Sequence, residues 1–287
     1  MGNIKSWLFK IIAGKSHKFK PRKKLRFEVE IAGHCNLNCK NCSHFSPLVK
    51  EEFVHIETLE RDFARLSFLA GRNNERIKLL GGEPLLHPRL NEIMEMTRKY
   101  FDGPVYLNTN GLLLARMNDE FWAACKKSRI TVLVSNYPVK LNKKLIREKG
   151  KRHGVKILMR RFSGERTFAA GAHSWSRCQL DSQGKQDAVN NYKVCFMNNS
   201  CIFLRDGKIS TCCLPPTVYR FNEHFGENIE VSENNFIDIH KAKSIQEIYE
   251  FVVKPIPFCR YCKVSDWTYG IEWGISKKDK SEWADEA

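Results

Sequence analysis

From Leu25 onward, short apolar runs alternate with stretches in which apolar residues recur every three or four positions. Phe27–Ile31 contains β-branched residues and predicts a first strand, after which Leu59, Phe63, Leu66 and Leu69 fall at helical spacing. Arg76–Leu80 predicts a second strand stopped by Gly81-Gly82. Leu90, Ile93, Met94 and Thr97 mark a helix, and Val105–Leu107 a third strand ending at Asn110-Gly111. A helix over Asn118–Lys127, a strongly β-branched strand at Ile130–Val134, a helix over 142–152 and a fifth strand at Val155–Leu158 follow. Such repetition implies a parallel sheet with helical crossovers, because parallel neighbours cannot be joined by tight turns. Ligands of these sheets bind beyond the carboxyl ends of the strands. The segment after the first strand, Gly81-Gly82, Asn110-Gly111 and Ser135-Asn136 should therefore converge on one face.

After Arg161 the pattern changes. Residues 163–200 are rich in Gly, Ser, Asn and Gln and lack clear periodicity. Cys201–Leu204 and Ile209–Cys213 flank Asp206-Gly207, which predicts a β-hairpin. Ser244 and Glu247 form a capping-box signature ahead of Ile245, Ile248, Tyr249 and Val252, so a short helix is expected there. Pro255 and Pro257 end it and deliver the chain to Cys259-Arg260-Tyr261-Cys262.

Composition adds compartment and charge. No apolar run approaches the roughly 18 residues that a membrane-spanning helix needs. The apolar stretch Ile11–Ala13 is too short for a cleavable signal. A cytoplasmic protein is expected, and in a reducing compartment eleven cysteines point to metal before disulfide. The formal charge is +16, of which residues 1–24 supply eight Lys or Arg and no acid. This basic arm reads as a solvated tail, with Trp7, Leu8, Ile11 and Ile12 offering a weak membrane-surface contact as the alternative. The remaining charge suits a polar or anionic small-molecule substrate.

The cysteines are grouped. Cys35-x3-Cys39-x2-Cys42 places three thiols on one loop after the first strand. Three thiolates from one loop suit an iron–sulfur cubane whose fourth iron stays open to a non-protein ligand. The alternative is zinc completed by His34 or His44, although zinc sites usually use CxxC pairs, which this triple does not supply.

The triple resembles the signature of the radical S-adenosylmethionine superfamily, and Gly81-Gly82-Glu83-Pro84 resembles that family's second motif, in the right order. The resemblance spans about residues 26–265. It implies that Cys35, Cys39 and Cys42 bind a [4Fe-4S] cluster, whose open iron chelates the methionine moiety of S-adenosylmethionine. An electron from the cluster, itself reduced by a donor such as flavodoxin or ferredoxin, would then generate a 5′-deoxyadenosyl radical that removes a substrate hydrogen. It also implies that Gly81, Gly82, Glu83 and Pro84 meet the cofactor, with Asn110, Ser135 and Arg160 or Arg161 at its polar groups. Asn41 stands where the family often has an aromatic residue.

The expected fold is α/β, a partial (β/α)6 radical SAM barrel with a small cysteine-rich β-hairpin and helix domain behind it. The boundaries are a basic arm at 1–24, a core at 25–162, a linker with the last core elements at 163–200, an auxiliary domain at 195–270 and a tail at 271–287. Cys195, Cys212, Cys259 and Cys262 resemble the auxiliary-cluster appendage called SPASM or, when shortened, Twitch. They imply a second [4Fe-4S] cluster, with Cys213 as the alternate to Cys212; structural zinc is the other reading. Cys125 reads as core. Cys178 reads as a buried thiol or, functionally, as a hydrogen-atom donor or substrate contact. Similar short members imply oxidation or epimerisation of a carbinol in a sugar, aminocyclitol or nucleotide-sugar. A peptide- or protein-modifying maturase is the alternative, and a metal-stabilised nucleic-acid-binding module stands outside enzymology.

Overall fold

The structure, a computed structural model, describes residues 25–71, 76–135, 137–160, 176–198, 202–269 and 271–285. The basic arm, Asn136, Arg161 and Cys201 lie outside the described residues, as does the side chain of Arg160.

Five strands alternate with four helices: β1 (Arg26–Ala32), α1 (Ile56–Ala70), β2 (Arg76–Gly81), α2 (Leu90–Tyr100), β3 (Val105–Thr109), α3 (Asp119–Lys127), β4 (Ile130–Ser135), α4 (Lys143–Arg152) and β5 (Lys156–Arg160). All neighbouring pairs among these strands are parallel. Two of these helices, α3 and α4, start where a short polar side chain takes an orphan amide: Asn118 Oδ1 accepts from the Phe121 amide and Asn142 Oδ1 from the Leu145 amide, both at 3.0 Å.

Side chains alternate across the sheet. Phe27, Val29, Ile31, Ile77, Leu79, Val105 and Leu107 enter the main core beneath the helices. The alternate positions carry Glu28, Glu30, Lys78, Tyr106 and Asn108 beside Leu80 and Leu133, so the opposite face is mixed, with its polar side chains concentrated on β1 to β3. Lys78 donates to Glu28 there, and both side chains are buried.

The second half holds β6 (Ser176–Arg177), α5 (Ala188–Val194), β7 (Ile202–Arg205), β8 (Lys208–Ser210), α6 (Leu214–Thr217), α7 (Tyr219–Phe225), β9 (Ile237–Asp238), α8 (Ile245–Val252) and β10 (Thr268–Tyr269). The expected hairpin is β7–β8, with Asp206 and Gly207 at positive φ in its turn. It does not stand apart from the core. β7 pairs in parallel with β1, Phe27 facing Ile202 and Val29 facing Leu204, which gives one sheet in the order β5-β4-β3-β2-β1-β7-β8-β9. The sixth parallel strand of the sheet therefore flanks β1 instead of β5.

A second apolar core, including Phe45, Leu180, Leu214, Phe221, Phe258 and Trp283, closes over the cysteine loop. Residues 271–285, expected as a tail, contribute to it and are fully packed at Trp283 and Ala284. No helix among the described residues is long and apolar enough to cross a membrane.

Candidate active site

The loop leaving β1 is coiled tightly by its asparagines. Asn38 and Asn41 adopt positive φ of 49° and 57°, a left-handed conformation that asparagine tolerates better than a bulky aromatic residue. That conformation gives a local reason for asparagine before the third cysteine. Asn41 is buried with its Oδ1 unpartnered.

Cys35, Cys39 and Cys42 are brought together on this loop. Burial, then the nearby Glu83 and Cys42, push the Cys35 thiol up to about 12. Cys39 is raised by burial, Cys42 and Cys35, against a hydrogen bond from Trp273. A cationic iron centre would favour the thiolate form that burial disfavours at Cys35 and Cys39. Among the described residues no three His, Cys, Asp or Glu side chains converge on a single-ion point. The thiols suit separate corners of a larger group, because each cluster cysteine binds a different iron. N–H donors already face the sulfurs: the Leu37 amide lies 3.4 Å from Cys35 Sγ and the Trp273 indole Nε1 lies 3.2 Å from Cys39 Sγ.

The glycine turn is pressed against the same loop. A Cβ on Gly81 would lie 2.0 Å from the Ala32 carbonyl oxygen, and one on Gly82 would lie 2.1 Å from that of His34. The Gly82 amide donates to Ala32 O at 2.7 Å and the Glu83 amide to His34 O at 3.0 Å. Glycine is thus required by the close approach of two backbones.

Glu83 is wholly buried. Its carboxylate accepts from Thr109 Oγ1 at 2.7 Å, the Asn110 amide at 2.8 Å and the Leu85 amide at 3.0 Å. Burial pushes it up to about 7 against those three bonds. Its carboxylate braces the ends of β2 and β3, and Pro84 opens the short turn that follows. Asn110 completes the link, its Nδ2 donating to Asn36 Oδ1 at 2.8 Å and lying 3.7 Å from Cys35 Sγ. Ser135 ends β4, half-buried.

Two site residues had no sequence signal beyond position. Tyr137, just past the β4 end, is half-buried, and desolvation, then the nearby Cys39, Cys42 and Cys35, holds its phenol well above the usual range. Trp273 stands 6.4 Å from the Tyr137 ring.

The second set of cysteines also gathers. Cys195, Cys212, Cys259 and Cys262 line one small cavity with Thr211 and Trp267. Asn191 on α5 holds the Cys259–Cys262 turn by donating to both carbonyls, at 2.9 Å for Cys259. Burial, then neighbouring thiols, raise Cys212 and Cys262 well above the usual thiol range. Cys213 turns the other way, its Sγ 3.7 Å from both Ser43 O and Ser43 Oγ. Cys178 is buried in the second core, and Cys125 packs in the first at 3.7 Å from Met94 Sδ.

Residues 29–160 match the model of the radical SAM superfamily. These residues form a radical SAM domain. Such a domain implies a [4Fe-4S] cluster and S-adenosylmethionine, and the donor set around Cys35, Cys39 and Cys42 fits that cluster. The GTP 3′,8-cyclase of Aquifex aeolicus is 32% identical over 136 residues, covering 44% of this chain and 39% of that protein. A probable GTP 3′,8-cyclase of Thermoplasma volcanium is 33% identical over 90 residues, covering 31% of this chain and 27% of that protein. The matches thus span well under half the length of these curated relatives. A crystal structure of BtrN in complex with AdoMet and 2-DOIA shares the fold of this radical SAM protein, with a TM-score of 0.50 and 15% identity over 85% of this chain and 94% of that one.

Proposed function

We propose that this protein cleaves S-adenosylmethionine reductively and oxidises a carbinol of a small polar substrate, such as a sugar, aminocyclitol or nucleotide-sugar. The observation that carries this reading is the second cysteine site. Cys195, Cys212, Cys259 and Cys262 line one cavity and fit a fully ligated [4Fe-4S] cluster, whereas the first loop offers only three thiols. Removal of a carbinol hydrogen by the 5′-deoxyadenosyl radical leaves a carbon radical. That radical would reach the carbonyl by losing its hydroxyl proton to solvent and one electron to a cluster held by Cys195, Cys212, Cys259 and Cys262.

The residues at the strand ends support the first half of this reaction. Gly81, Gly82 and Glu83 set the position of the β2 turn against the cysteine loop, while Asn110 and Ser135 offer polar groups for the cofactor. The polar sheet face with Glu28, Lys78, Tyr106 and Asn108 suits a hydroxylated substrate. The burial of Cys178 in the second core favours oxidation over epimerisation, because a hydrogen-returning thiol must reach the substrate carbon. The relatives named for GTP cyclisation match only part of this chain, and a nucleotide substrate is the second reading, favoured by the excess positive charge.

Anaerobic reconstitution followed by reduction with a flavodoxin system should give 5′-deoxyadenosine from the wild type and none from a Cys35→Ala, Cys39→Ala, Cys42→Ala triple variant. A panel of aminocyclitols, nucleotide-sugars, nucleoside triphosphates and peptides identifies the substrate by a carbonyl product equimolar with 5′-deoxyadenosine. Turnover of a peptide alone would overturn the carbinol reading. Dependence of product formation on Cys178 would move the reaction to epimerisation.

A further inference from the structure

The last described segment packs against the cysteine loop along its length. The Lys40 amide donates to Gly274 O at 2.8 Å and the Ser276 amide to Asn38 O at 2.8 Å. Cys39 and Ile275 form an antiparallel bridge between these bonds. Trp283 Nε1 donates to Cys42 O at 2.8 Å, and its ring is buried 6.1 Å from Phe45. Trp273 goes further and reaches a ligand atom, with its Nε1 3.2 Å from Cys39 Sγ.

The same segment is tied on its other side to residues 177–180. The Leu180 amide donates to Trp283 O at 2.7 Å, Arg177 Nη2 to Ser281 O at 2.5 Å and Gln179 Nε2 to Asp285 Oδ1 at 2.6 Å. Leu180 in turn bridges to Cys262 of the second site. A segment without helical or strand periodicity is therefore bonded directly to the first cysteine site and, through Leu180, to the second.

We infer that residues 271–285 form a strap that completes the first cysteine site, and that Trp273 is a positioning residue whose indole N–H sets the electron affinity of the cluster held by Cys39. This rests on the reading that Cys35, Cys39 and Cys42 hold that cluster. The physical link is direct. Reduction places negative charge on the cluster and its thiolates, and a donor dipole aimed at a thiolate sulfur stabilises the more negative state. The indole is a donor only, so the contact cannot reverse its sense.

Two measurements test the strap and the tryptophan separately. In the full-length apoprotein, hydrogen exchange at the Lys40 and Ser276 amides is expected to be slowed at least about tenfold relative to unprotected amides. Exchange at the unprotected rate would overturn the strap. In the reconstituted protein, the first cluster is the one whose electron paramagnetic resonance signal changes on adding S-adenosylmethionine. Trp273→Phe keeps an aromatic ring and removes the N–H. It is expected to retain the iron content while moving the midpoint potential of that cluster to a more negative value, with the second signal unmoved. An unchanged midpoint would overturn the role of Trp273 and leave the cluster assignment standing. A wild type with slow exchange but no signal responsive to S-adenosylmethionine would strike the cluster reading itself, and the tuning role with it.

Discussion

A methyl group on Gly82 would lie 2.1 Å from the His34 carbonyl oxygen, and that oxygen belongs to the residue before the first cysteine. Backbone cannot swing aside as a flexible side chain can, so Gly82→Ala must push the cysteine loop away from β2. The expected cost is about 3 kcal/mol of stability, with loss of iron from the first site. Thermal denaturation and iron analysis check it, and wild-type iron retention would show that the loop yields. Glu30, on the polar face of β1, poses a different kind of constraint. It accepts from both Nη1 and Nη2 of Arg220, at 3.1 and 2.8 Å, and from Arg205 Nη1 at 2.7 Å. Burial would raise its carboxyl, but Arg220 and His44 outweigh burial and bring it from 4.5 down to about 2. A depressed folded value means that the stabilisation is complete above 4.5 and is lost as pH falls toward 2, where both folded and unfolded chains are protonated. The size is about 3 kcal/mol. Urea midpoints of the wild type should fall over that acid range. Glu30→Gln should be less stable at neutral pH and lack that component; an unchanged acid slope would exclude Glu30 as its source.

At the level of elements, the strands and helices of the first half were legible because each is long enough to show its own period. Strands at Arg76, Val105 and Ile130 begin where the apolar runs do, and Asn118, Asn142 and Ser244 cap the helices that follow them. Long-range partnership was not legible. Nothing local in Ile202–Arg205 says that its partner is β1, because a short apolar strand pairs wherever the tertiary fold offers an edge. The strap at 271–285 was hidden for the same reason: its bonds are made by backbone and by two tryptophans with no periodic spacing. The choice between Cys212 and Cys213 was equally closed to spacing, since both lie in the bend between β8 and α6, where no regular period says which side chain turns to which side. Their surroundings separate them, Cys212 lining the four-thiol cavity and Cys213 lying against Ser43. Cys212→Ser is therefore expected to cost about four irons per chain, and Cys213→Ser none. Iron and sulfide analysis after reconstitution decides it, and equal losses would break the assignment.

Across the whole molecule, the two cysteine sites share walls but not tasks. The polar groups proposed to meet S-adenosylmethionine sit at the ends of β2, β3 and β4, whereas the four-cysteine cavity is built from α5, the segment after β8 and the Cys259–Cys262 turn. Arg220 on α7 joins the halves beneath the loop by bonding Glu30, Glu52 and the His44 carbonyl. This anchor lies apart from the second cavity. Loss of the second site should therefore leave the first loop in place, so cofactor cleavage and substrate oxidation should separate. In a Cys259→Ala, Cys262→Ala variant, 5′-deoxyadenosine should still form on reduction, because its formation needs only the first electron. The carbonyl product should fall at least about tenfold, equivalent to roughly 1.4 kcal/mol, because the substrate radical has lost its electron acceptor. The ratio of the two products, measured by chromatography against a wild type near unity, is the quantity that matters. A ratio that stays near unity would show that the second electron leaves by another route, and the four cysteines would then be structural.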